Sequence, residues 1–483
     1  MSKRVRVRYA PSPSGYLHIG GARSALFNYL FAKNQHGDFV VRVEDTDFER
    51  NIEGAEESQI QDLEWLGIIA DESPIYPNPK YAPYRQSEKL ELYREYAEKL
   101  VQEGKAYYCY CSEEELAERK EAALAAGVAA PQYDGKCLHL TPEEIEAYKL
   151  EGRKPTIRIK MEKEKDIIVN DLVRGKVEFN TRDIGDWVII KSNGIATYNF
   201  AVVIDDHIME ITHVLRGEEH LSNTPKQIQV YDYFGWEAPE FGHMTLIINE
   251  NGKKLSKRDL NILQFMSQYR NLGYLPKAIF NFILLLGWSP GGEKEFFTME
   301  EAIEAFSLAR LSKSPSTFDP QKMMWMNSHY IKELSDEEYL EFIKPFLLQV
   351  FTKPHNDEYY LHVANLFKNE IKYGAEIVDL LKPIVSPVEL EDEELLEMLA
   401  TPLSQEVLKA FKKHLLGAED LESDTIKGIF NNVKVETGAK GKLLFMPVRV
   451  ALTSQMHGLE MAQIFNILGK DLAVERLDKA IKN

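Results

Sequence analysis

Two short polar stretches, far apart in the sequence, contain residue types suited to phosphate chemistry. The first, YAPSPSGYLHIGG, lies between a strand-like run and a helix-like run and contains His18, Gly20 and Gly21. A glycine-rich turn that leads into a helix N-terminus binds anions well, because free backbone N–H groups and the helix dipole point toward the ligand. His18 adds a donor for a phosphate oxygen. Alone, the stretch predicts a phosphate site no more strongly than a turn with one exposed histidine.

The second stretch, NGKKLSKRD, follows a predicted strand in the middle of the chain. It places Lys253, Lys254, Lys257 and Arg258 around Ser256. A cationic loop with small residues suits the charge that develops on a phosphoryl group during transfer. By itself, the same composition also describes a solvated basic loop.

All three cysteines of the chain lie in one segment that also contains a histidine. Cys109, Cys111, Cys137 and His139 form the pattern C-x-C…C-x-H. Four such ligands suit a closed tetrahedral Zn²⁺ site, and three buried cysteines without metal are the alternative. Three cysteines cannot form a disulfide framework, so a reducing cytoplasm is expected.

The elements that must position these residues follow from hydrophobic periodicity. VRVRYA and DFVVRVED are predicted strands on either side of a helix from Gly20 to Lys33, which makes a β-α-β unit. Amphipathic helices are expected around Glu53–Leu66 and Ser87–Glu103. The sheet pattern resumes at WVIIKSNGIATYNFAVVIDDH and ITHVLRG, and from Leu260 onward nearly everything is helical in period, with breaks at Gly287–Pro290 and Pro383–Pro387.

Composition limits the class of protein. The 483 residues are 44% hydrophobic and 11% aromatic, which is typical of a soluble chain with several domains. MSKRVRVRYA alternates charged and apolar residues and predicts a strand, not a signal peptide. The longest apolar run, Ala278–Trp288, is too short to span a membrane. A net charge of −18 argues against nonspecific coating of nucleic acid but is compatible with a local basic groove.

Together the two polar stretches resemble the paired HIGH and KMSKS signatures of class I aminoacyl-tRNA synthetases, with HIGG and KLSKR here. RYAPSPSGYLHIGGARSALFNYLFA, RVEDTD, RDIGDWVIIKSNGIATYNFAVVIDDH and ITHVLRGEEHLSNTPKQ resemble bacterial glutamyl-tRNA synthetases, in order along nearly the whole chain. One departure is Glu219, where this family more usually has aspartate. Glutaminyl and archaeal-type glutamyl enzymes end in β-barrels, whereas this chain ends in helices by period.

The resemblance implies a fold class and an order of domains. The fold is an α/β Rossmann-type catalytic domain with an α+β insertion, followed by all-α stem-contact and anticodon-binding domains. The expected segments are the first half of the catalytic domain at 1–105, an inserted tRNA acceptor-binding region with the zinc site at 106–190, the second half of the catalytic domain at 191–260, the stem-contact domain at 261–330 and the anticodon-binding domain at 331–483.

The resemblance also implies a glutamate site. Arg8 and Arg216 match the arginines that bind the carboxylates of glutamate, and Glu44 matches the residue that faces its ammonium group. Ser12 and Tyr198 match further contacts to the amino acid. Two cations and one anion suit a substrate with two carboxylates and one ammonium group, and guanidinium groups suit bidentate recognition of a carboxylate.

The implied reaction has two steps. Glutamate reacts with ATP to give glutamyl-adenylate, and the glutamyl group is then transferred to the 3′ end of tRNA(Glu), with tRNA(Gln) left open as a second acceptor. His18 and Lys257 are the expected stabilisers of the transition state, Mg²⁺ accompanies the ATP, and bound tRNA is expected before activation. The expected ATP-binding residues are His18, Gly20, Gly21, Lys254, Ser256 and Lys257.

Three further expectations complete the comparison with the family. Arg449 matches an arginine that binds the tRNA anticodon, and a monomer is expected. The cysteine segment resembles the zinc-binding insert of some glutamyl enzymes, although a related tRNA-modifying paralogue uses a tyrosine in the position of Tyr133 as the fourth ligand. Two other classes stay open: a nucleotidyltransferase that acts on a small acceptor, and a non-enzymatic tRNA-binding module.

Overall fold

The computed structural model describes residues 3–255, 263–386 and 392–481. Ser256, Lys257 and Arg258 of the second polar stretch lie outside the described residues. The chain forms two compact units, one of residues 1–271 with 276–323 and the other of residues 272–275 with 324–483. The predicted segment 261–330 is therefore divided between the units, and 331–483 lies wholly within the second.

The first unit contains every strand of the described chain. The strands are β1 (Arg6–Tyr9), β2 (Asp38–Val41), β3 (Ala106–Cys109), β4 (Thr156–Ile159), β5 (Asp166–Asp171), β6 (Gly175–Asn180), β7 (Trp187–Ile190), β8 (His213–Gly217), β9 (Glu240–Met244), β10 (Ile247–Ile248) and β11 (Ser316–Thr317).

Helices account for most of the remaining structure, and those from α12 onward belong to the second unit. The helices are α1 (Ile19–Asn34), α2 (Ala55–Trp65), α3 (Leu90–Gln102), α4 (Glu113–Ala125), α5 (Pro142–Leu150), α6 (Tyr198–Ile208), α7 (Thr224–Phe234), α8 (Met266–Leu272), α9 (Pro276–Leu285), α10 (Met299–Ala305), α11 (Pro320–Glu333), α12 (Asp336–Leu347), α13 (Asp357–Asn365), α14 (Glu376–Val385), α15 (Glu393–Ala400), α16 (Pro402–Leu416), α17 (Ser423–Thr437), α18 (Lys442–Thr453) and α19 (Met461–Ala480).

The central sheet has four parallel strands in the order β2–β1–β8–β9. The apolar residues of β1 and β2 are buried, with Val7, Phe39 and Val40 at 0% exposure. Because all four strands are parallel, their carboxyl ends meet at one edge, which is where open α/β sheets bind ligands. Helix α1 connects β1 to β2, so the predicted β-α-β unit is confirmed.

Strand β2 is shorter than the run DFVVRVED predicts. It ends at Val41, and the next residues pair first with the end of β1 and then with the loop that follows it. Arg42 N donates to Tyr9 O at 3.0 Å, and Glu44 N donates to Pro11 O at 2.9 Å. This pairing carries Glu44 toward the carboxyl edge of the sheet.

The predicted continuation of the sheet through WVIIKSNGIATYNFAVVIDDH is wrong for its second half. Trp187–Ile190 is a strand, but Tyr198–Ile208 is helix α6. Residues 200–206 of that helix are all buried, so its apolar run is continuous. A short continuous apolar run does not distinguish a buried helix from a buried strand.

The insertion predicted at 106–190 contains two small antiparallel sheets, β3–β4–β7 and the hairpin β5–β6. Strand β5 was not predicted. It alternates exposed and buried residues, with Ile167, Val169 and Asp171 buried. Leu172 N donates to Phe241 O at 2.8 Å, which attaches the hairpin to β9 of the central sheet.

The second unit is helical, as predicted. Its core includes the stacked rings of Phe411 and Phe465, whose centroids are 5.4 Å apart, and the Phe430 ring beside them. Pro383, where a break was expected, lies inside α14. The predicted fold class is confirmed. Within the described residues, no helix has the length and apolarity that a membrane span requires.

Candidate active site

A cavity of about 740 Å³ opens at the carboxyl edge of the central sheet. It brings together residues that the sequence places up to 256 positions apart, from Arg8 to Gln264. The predicted site residues that line it are Arg8, Ser12, His18, Gly20, Gly21, Glu44, Tyr198, Arg216 and Lys254.

His18 is the N-cap of helix α1. Its Nδ1 accepts a hydrogen bond from Gly21 N at 3.0 Å. A neutral imidazole that accepts at Nδ1 carries its proton on Nε2, so the other edge of the ring is a donor. Since helix α1 begins at Ile19, its N-terminus lies beside the same cavity. The first polar stretch therefore combines a helix N-terminus with a histidine donor.

Gly21 is required for space, and Gly20 leaves little room for a side chain. A Cβ atom at Gly21 would lie 2.7 Å from the Tyr9 hydroxyl, which is closer than carbon and oxygen approach without repulsion. At Gly20 the added atom would meet the His18 ring at 3.2 Å. Gly21 thus lets α1 pack directly on the end of β1.

The chain on both sides of residues 256–262 is attached to this edge. Leu255 N donates to Ile247 O at 3.1 Å, and Met266 N donates to Leu17 O at 2.9 Å. Lys254 Nζ lies 3.5 Å from Glu219 Oε1. Lys254 and Leu255 of the second polar stretch thus line the same cavity as the first stretch, while Ser256 and Lys257 are outside the described residues.

Arg216 is a buried guanidinium held by neutral partners. It donates to Thr224 Oγ1 at 2.9 Å, to Gln227 Oε1 at 2.9 Å, to His243 Nε2 at 3.1 Å and to the Tyr198 hydroxyl at 3.4 Å. No carboxylate of the described residues lies within ion-pair distance of it, and burial lowers its pKa. A buried cation without an anion is costly, so the arrangement favours a ligand carboxylate at this point.

Arg8 and Glu44 are fixed by a buried ion network. Arg8 Nε lies 3.1 Å from Asp206, which leaves Nη1 directed at no partner among the described residues. Arg42, fully buried, donates to Glu44 at 3.2 Å and to Asp206 at 2.7 Å. Burial raises the pKa of Glu44 above its usual range, although Arg42 and Arg8 oppose the shift. The site therefore presents an oriented cation and an oriented carboxylate.

Several residues of this site were missed by the sequence analysis. Asp205 and Asp206 follow an apolar run in α6, and Lys89 pairs with Asp205 at 2.6 Å. His220 lines the cavity with its Nδ1 3.2 Å from the Tyr198 hydroxyl, and burial beside Arg216 lowers its pKa to about 4. Two adjacent aspartates after a buried run were the available signal, because a buried carboxylate needs a cationic partner.

The three cysteines form a second site within the insertion. Their sulfur atoms all lie within 4.8 Å of one another. The Tyr133 hydroxyl is 3.4 Å from Cys109 Sγ and 3.5 Å from Cys111 Sγ, and it accepts from Cys137 N at 2.9 Å. His139 is exposed and does not belong to the cluster. The structure thus brings Tyr133, not His139, to the cysteines.

Arg449 lies in the second unit, on helix α18. It lines two cavities, of about 450 and 720 Å³, and its Nη1 is buried without a hydrogen-bond partner in the described part of the chain. The larger of these two cavities is also lined by Lys427, Lys434 and Lys440. Arg449 is thus beside a basic surface and distinct from the residues that line the cavity of the first unit.

Comparison with known families matches both units. Residues 4–325 match the catalytic domain of the class I tRNA synthetases (E and Q), and residues 338–481 match an anticodon-binding domain. The glutamate–tRNA ligase of Geobacillus thermodenitrificans is 54% identical over 487 aligned positions, which cover 100% of this chain and 99% of that protein. The Bacillus subtilis glutamate–tRNA ligase is 51% identical, with 99% of each chain covered.

Solved structures agree with these matches. A glutamate–tRNA ligase from Elizabethkingia meningosepticum, crystallised in complex with its amino acid, superposes with a TM-score of 0.85 at 35% identity, covering 99% of each chain. The glutamate–tRNA synthetase of Elizabethkingia anophelis gives a TM-score of 0.83 at 36% identity over 100% of both chains. Since the family matches span both units and the sequence similarity covers the whole chain, this protein belongs to the class I aminoacyl-tRNA synthetases, as a bacterial-type glutamate–tRNA ligase.

Proposed function

We propose that the cavity of the first unit binds L-glutamate and ATP side by side and catalyses both steps of aminoacylation. The α-carboxylate of glutamate attacks the α-phosphate of ATP, which releases diphosphate and forms glutamyl-adenylate. The terminal ribose hydroxyl of tRNA then attacks the adenylate carbonyl and releases AMP. The observation that carries the proposal is the buried, anion-free guanidinium of Arg216 in the same cavity as the capped N-terminus of α1.

Glutamate binds by its three charged groups in this proposal. Arg216 takes one carboxylate and Arg8 the other, each through a guanidinium edge that is unpaired with protein carboxylates. Glu44 faces the ammonium group, and Tyr198 and Ser12 supply hydrogen-bond groups at the cavity wall. Glutamine would place a neutral amide beside one of these two guanidinium groups, so it should bind more weakly than glutamate.

ATP binds at the N-terminus of α1. His18 donates to a phosphate oxygen, and Gly20 and Gly21 let the backbone approach the phosphates closely. Lys254 lies at the rim of the cavity. We assign Ser256 and Lys257 to the same phosphates and Lys257 to transition-state stabilisation from their motif alone. Mg²⁺, when bound, neutralises phosphate charge. Because Mg²⁺ usually binds through substrate phosphates with one or two carboxylates, we expect it to bind chiefly through ATP.

The cysteine cluster would hold a structural Zn²⁺ through Cys109, Cys111, Cys137 and the Tyr133 oxygen. The residues present fit this ion, because three thiols and one further oxygen donor complete four ligands. The contact with Cys137, aided by Tyr133, lowers the pKa of the Cys109 thiol, and the same contact raises the pKa of Cys137. A thiolate is the form that binds metal.

tRNA(Glu) is the proposed acceptor, and tRNA(Gln) is a candidate second acceptor. Residues 106–190 would meet the acceptor end, 261–330 the stem, and 331–483 the anticodon through Arg449. The chain would act as a monomer in the cytoplasm, where ATP and tRNA are available. Charging of purified tRNA(Glu) and tRNA(Gln) with labelled glutamate decides between one acceptor and two.

Substitution Arg216→Lys tests the glutamate assignment. Lysine keeps the charge but loses the guanidinium fork, so the KM for glutamate should rise by about tenfold or more, while the KM for ATP stays near wild type. Arg476→Lys is the matched control, since Arg476 is also buried but lies in the second unit. A glutamate KM equal to wild type in Arg216→Lys and in Arg216→Ala would contradict the assignment.

A further inference from the structure

Behind Arg216 lies a buried pair that takes no part in the cavity wall. Arg216 Nε donates to His243 Nε2 at 3.1 Å, and His243 Nδ1 lies 2.5 Å from Asp171 Oδ2. Both His243 and Asp171 have fully buried side chains. Neither residue lines the cavity, so His243 contacts Arg216 from behind the cavity wall and Asp171 contacts His243 in turn.

The proton positions in the row Arg216–His243–Asp171 follow from the donor at its arginine end. An arginine Nε always donates, so His243 Nε2 must accept and its one proton must be on Nδ1. That proton points at Asp171, which must then be ionised to accept it. Burial, the main cause, lowers the pKa of His243, and this keeps the ring neutral. Burial would raise the pKa of Asp171, but hydrogen bonds from His243, Val173 and Arg174 hold it below its usual range.

Asp171 is supplied by the inserted hairpin and is itself fixed. Its Oδ1 accepts from Val173 N and Arg174 N, both at 2.9 Å, so the turn after β5 holds the carboxylate in one orientation. Arg174 also forms an ion pair with Glu218, two residues after Arg216. The hairpin thus contacts the segment of Arg216 directly through Arg174 and reaches Arg216 indirectly through Asp171 and His243.

We propose that Asp171 and His243 are positioning residues for Arg216 and set how tightly the enzyme binds the carboxylate of its amino-acid substrate. His243 fixes the Nε atom of Arg216, and Thr224 and Gln227 fix its Nη2 atom. The remaining Nη1 edge is therefore held toward Tyr198 and the cavity. Asp171 acts on the guanidinium only through the His243 ring, so it does not occupy that edge. This inference rests on the proposed role of Arg216 as a carboxylate-binding residue.

Asp171→Asn is the decisive variant because it changes one oxygen to an NH₂ group. The asparagine oxygen can still accept from Val173 N and Arg174 N, so its NH₂ would face His243 Nδ1. His243 would then accept at Nδ1 and carry its proton on Nε2, where it opposes the N–H of Arg216. We expect the KM for glutamate to rise by about tenfold or more, as for loss of a hydrogen bond to a charged group, with the KM for ATP unchanged.

A second pair of variants keeps the test decisive if Asp171→Asn folds poorly. His243→Gln retains an acceptor that can reach Arg216 Nε, whereas His243→Phe retains the ring shape without an acceptor. The expected order of glutamate KM is wild type, then His243→Gln, then His243→Phe. Side-chain ¹⁵N spectra of histidine-labelled protein, with His243→Gln to assign the signal, should show His243 protonated on Nδ1 in wild type and on Nε2 in Asp171→Asn.

Glu72→Gln is the matched control, because Glu72 is a buried carboxylate paired with Arg6, and neither residue lines the cavity. It should lower thermal stability without changing the glutamate KM. If Arg216→Ala raises the glutamate KM but Asp171→Asn and His243→Phe do not, the inference is overturned while the proposed function stands. If the variants raise the KM values for glutamate and ATP in parallel, the pair is merely structural and the inference is again overturned. If Arg216→Ala has no effect, the proposed function itself fails.

Discussion

Arg42 shows how single residues prepare this site without touching the substrate cavity. Its guanidinium is fully buried and pairs with Glu44, Asp205 and Asp206. Removing one member of such a network leaves a buried charge unpaired, which typically costs about 3–5 kcal/mol. The network therefore fixes the two residues that face the cavity, Arg8 and Glu44, in one arrangement.

The titration of Glu44 should be visible in the pH dependence of glutamate binding. Burial raises its pKa above the ordinary value of 4.5. As the pH falls through this raised value, the carboxylate becomes neutral and loses its attraction for the ammonium group. The value of kcat/KM for glutamate, which reports the free enzyme, should therefore fall on the acid side at a higher pH than an ordinary glutamate would cause.

Glu44→Gln provides the comparison for this prediction. The variant should have a raised glutamate KM at neutral pH. It should also lack the fall in kcat/KM at acid pH that protonation of Glu44 causes in the wild type. Any fall in kcat/KM that is caused by protonation of the carboxyl groups of the substrate would be common to both proteins. A wild-type profile that coincides in shape with that of Glu44→Gln would exclude Glu44 as the titrating group.

At the scale of elements, the cysteine site is assembled from a strand end and a short helical turn. Cys109 ends β3, Cys111 follows it, and Cys137 lies in the turn Lys136–His139. The Arg158 guanidinium lies 4.1 Å from the centre of the Tyr133 ring. A cation there partly balances the negative charge that three thiolates and a phenolate would bring to the site.

Metal content should distinguish Tyr133 from His139 as the fourth ligand. Protein purified without chelator should contain about one Zn²⁺ per chain, and Cys109→Ser should lose it. Tyr133→Phe should bind Zn²⁺ more weakly in competition with a chelator, because it lacks the oxygen donor. His139→Ala should retain the metal as wild type does, since His139 is exposed outside the cluster. Loss of Zn²⁺ in His139→Ala but not in Tyr133→Phe would reverse the assignment.

At the scale of the whole molecule, a chain with a net charge of −18 is expected to bind a polyanion. The negative net charge does not prevent this binding, because positive charge is clustered locally. One cavity of the second unit is lined by Lys427, Lys434, Lys440 and Arg449. Phosphate binding depends on such clusters, and it releases counterions, so the affinity falls as salt rises.

Salt dependence and charging should therefore separate two roles in the second unit. In Lys434→Gln, the slope of log Kd for tRNA against log salt should decrease by about 0.7–1, the share of one phosphate contact. Lys3→Gln, at the amino edge of the central sheet and paired with Glu237, should leave the slope unchanged.

Arg449→Ala should weaken charging of whole tRNA by about 1–3 kcal/mol and have no effect on a tRNA without its anticodon arm. A lowered melting temperature with normal charging would instead make Arg449 a structural residue.

The sequence alone determined the features that depend on neighbouring residues. The strand-like runs on either side of the helix-like run predicted the β-α-β unit, because hydrophobic period is a local property. The helical period after Leu260 predicted the all-α second unit for the same reason. The family resemblance named Arg8, Glu44, Tyr198 and Arg216, which the structure brings to one cavity.

Tertiary structure decided what depends on residues that are distant in sequence. Asp171 meets His243 across 72 positions, and nothing local in VNDLVRG or FGHMTL shows that they pair. The sequence left the fourth ligand beside the three cysteines open, because its spacing allows both Tyr133 and His139. Only the packing of the loop brings the tyrosine oxygen to the sulfur atoms. Helix α6 was predicted as a strand for a related reason. It is buried on all sides by the elements packed around it, so its sequence lacks the helical period of apolar residues that would identify it.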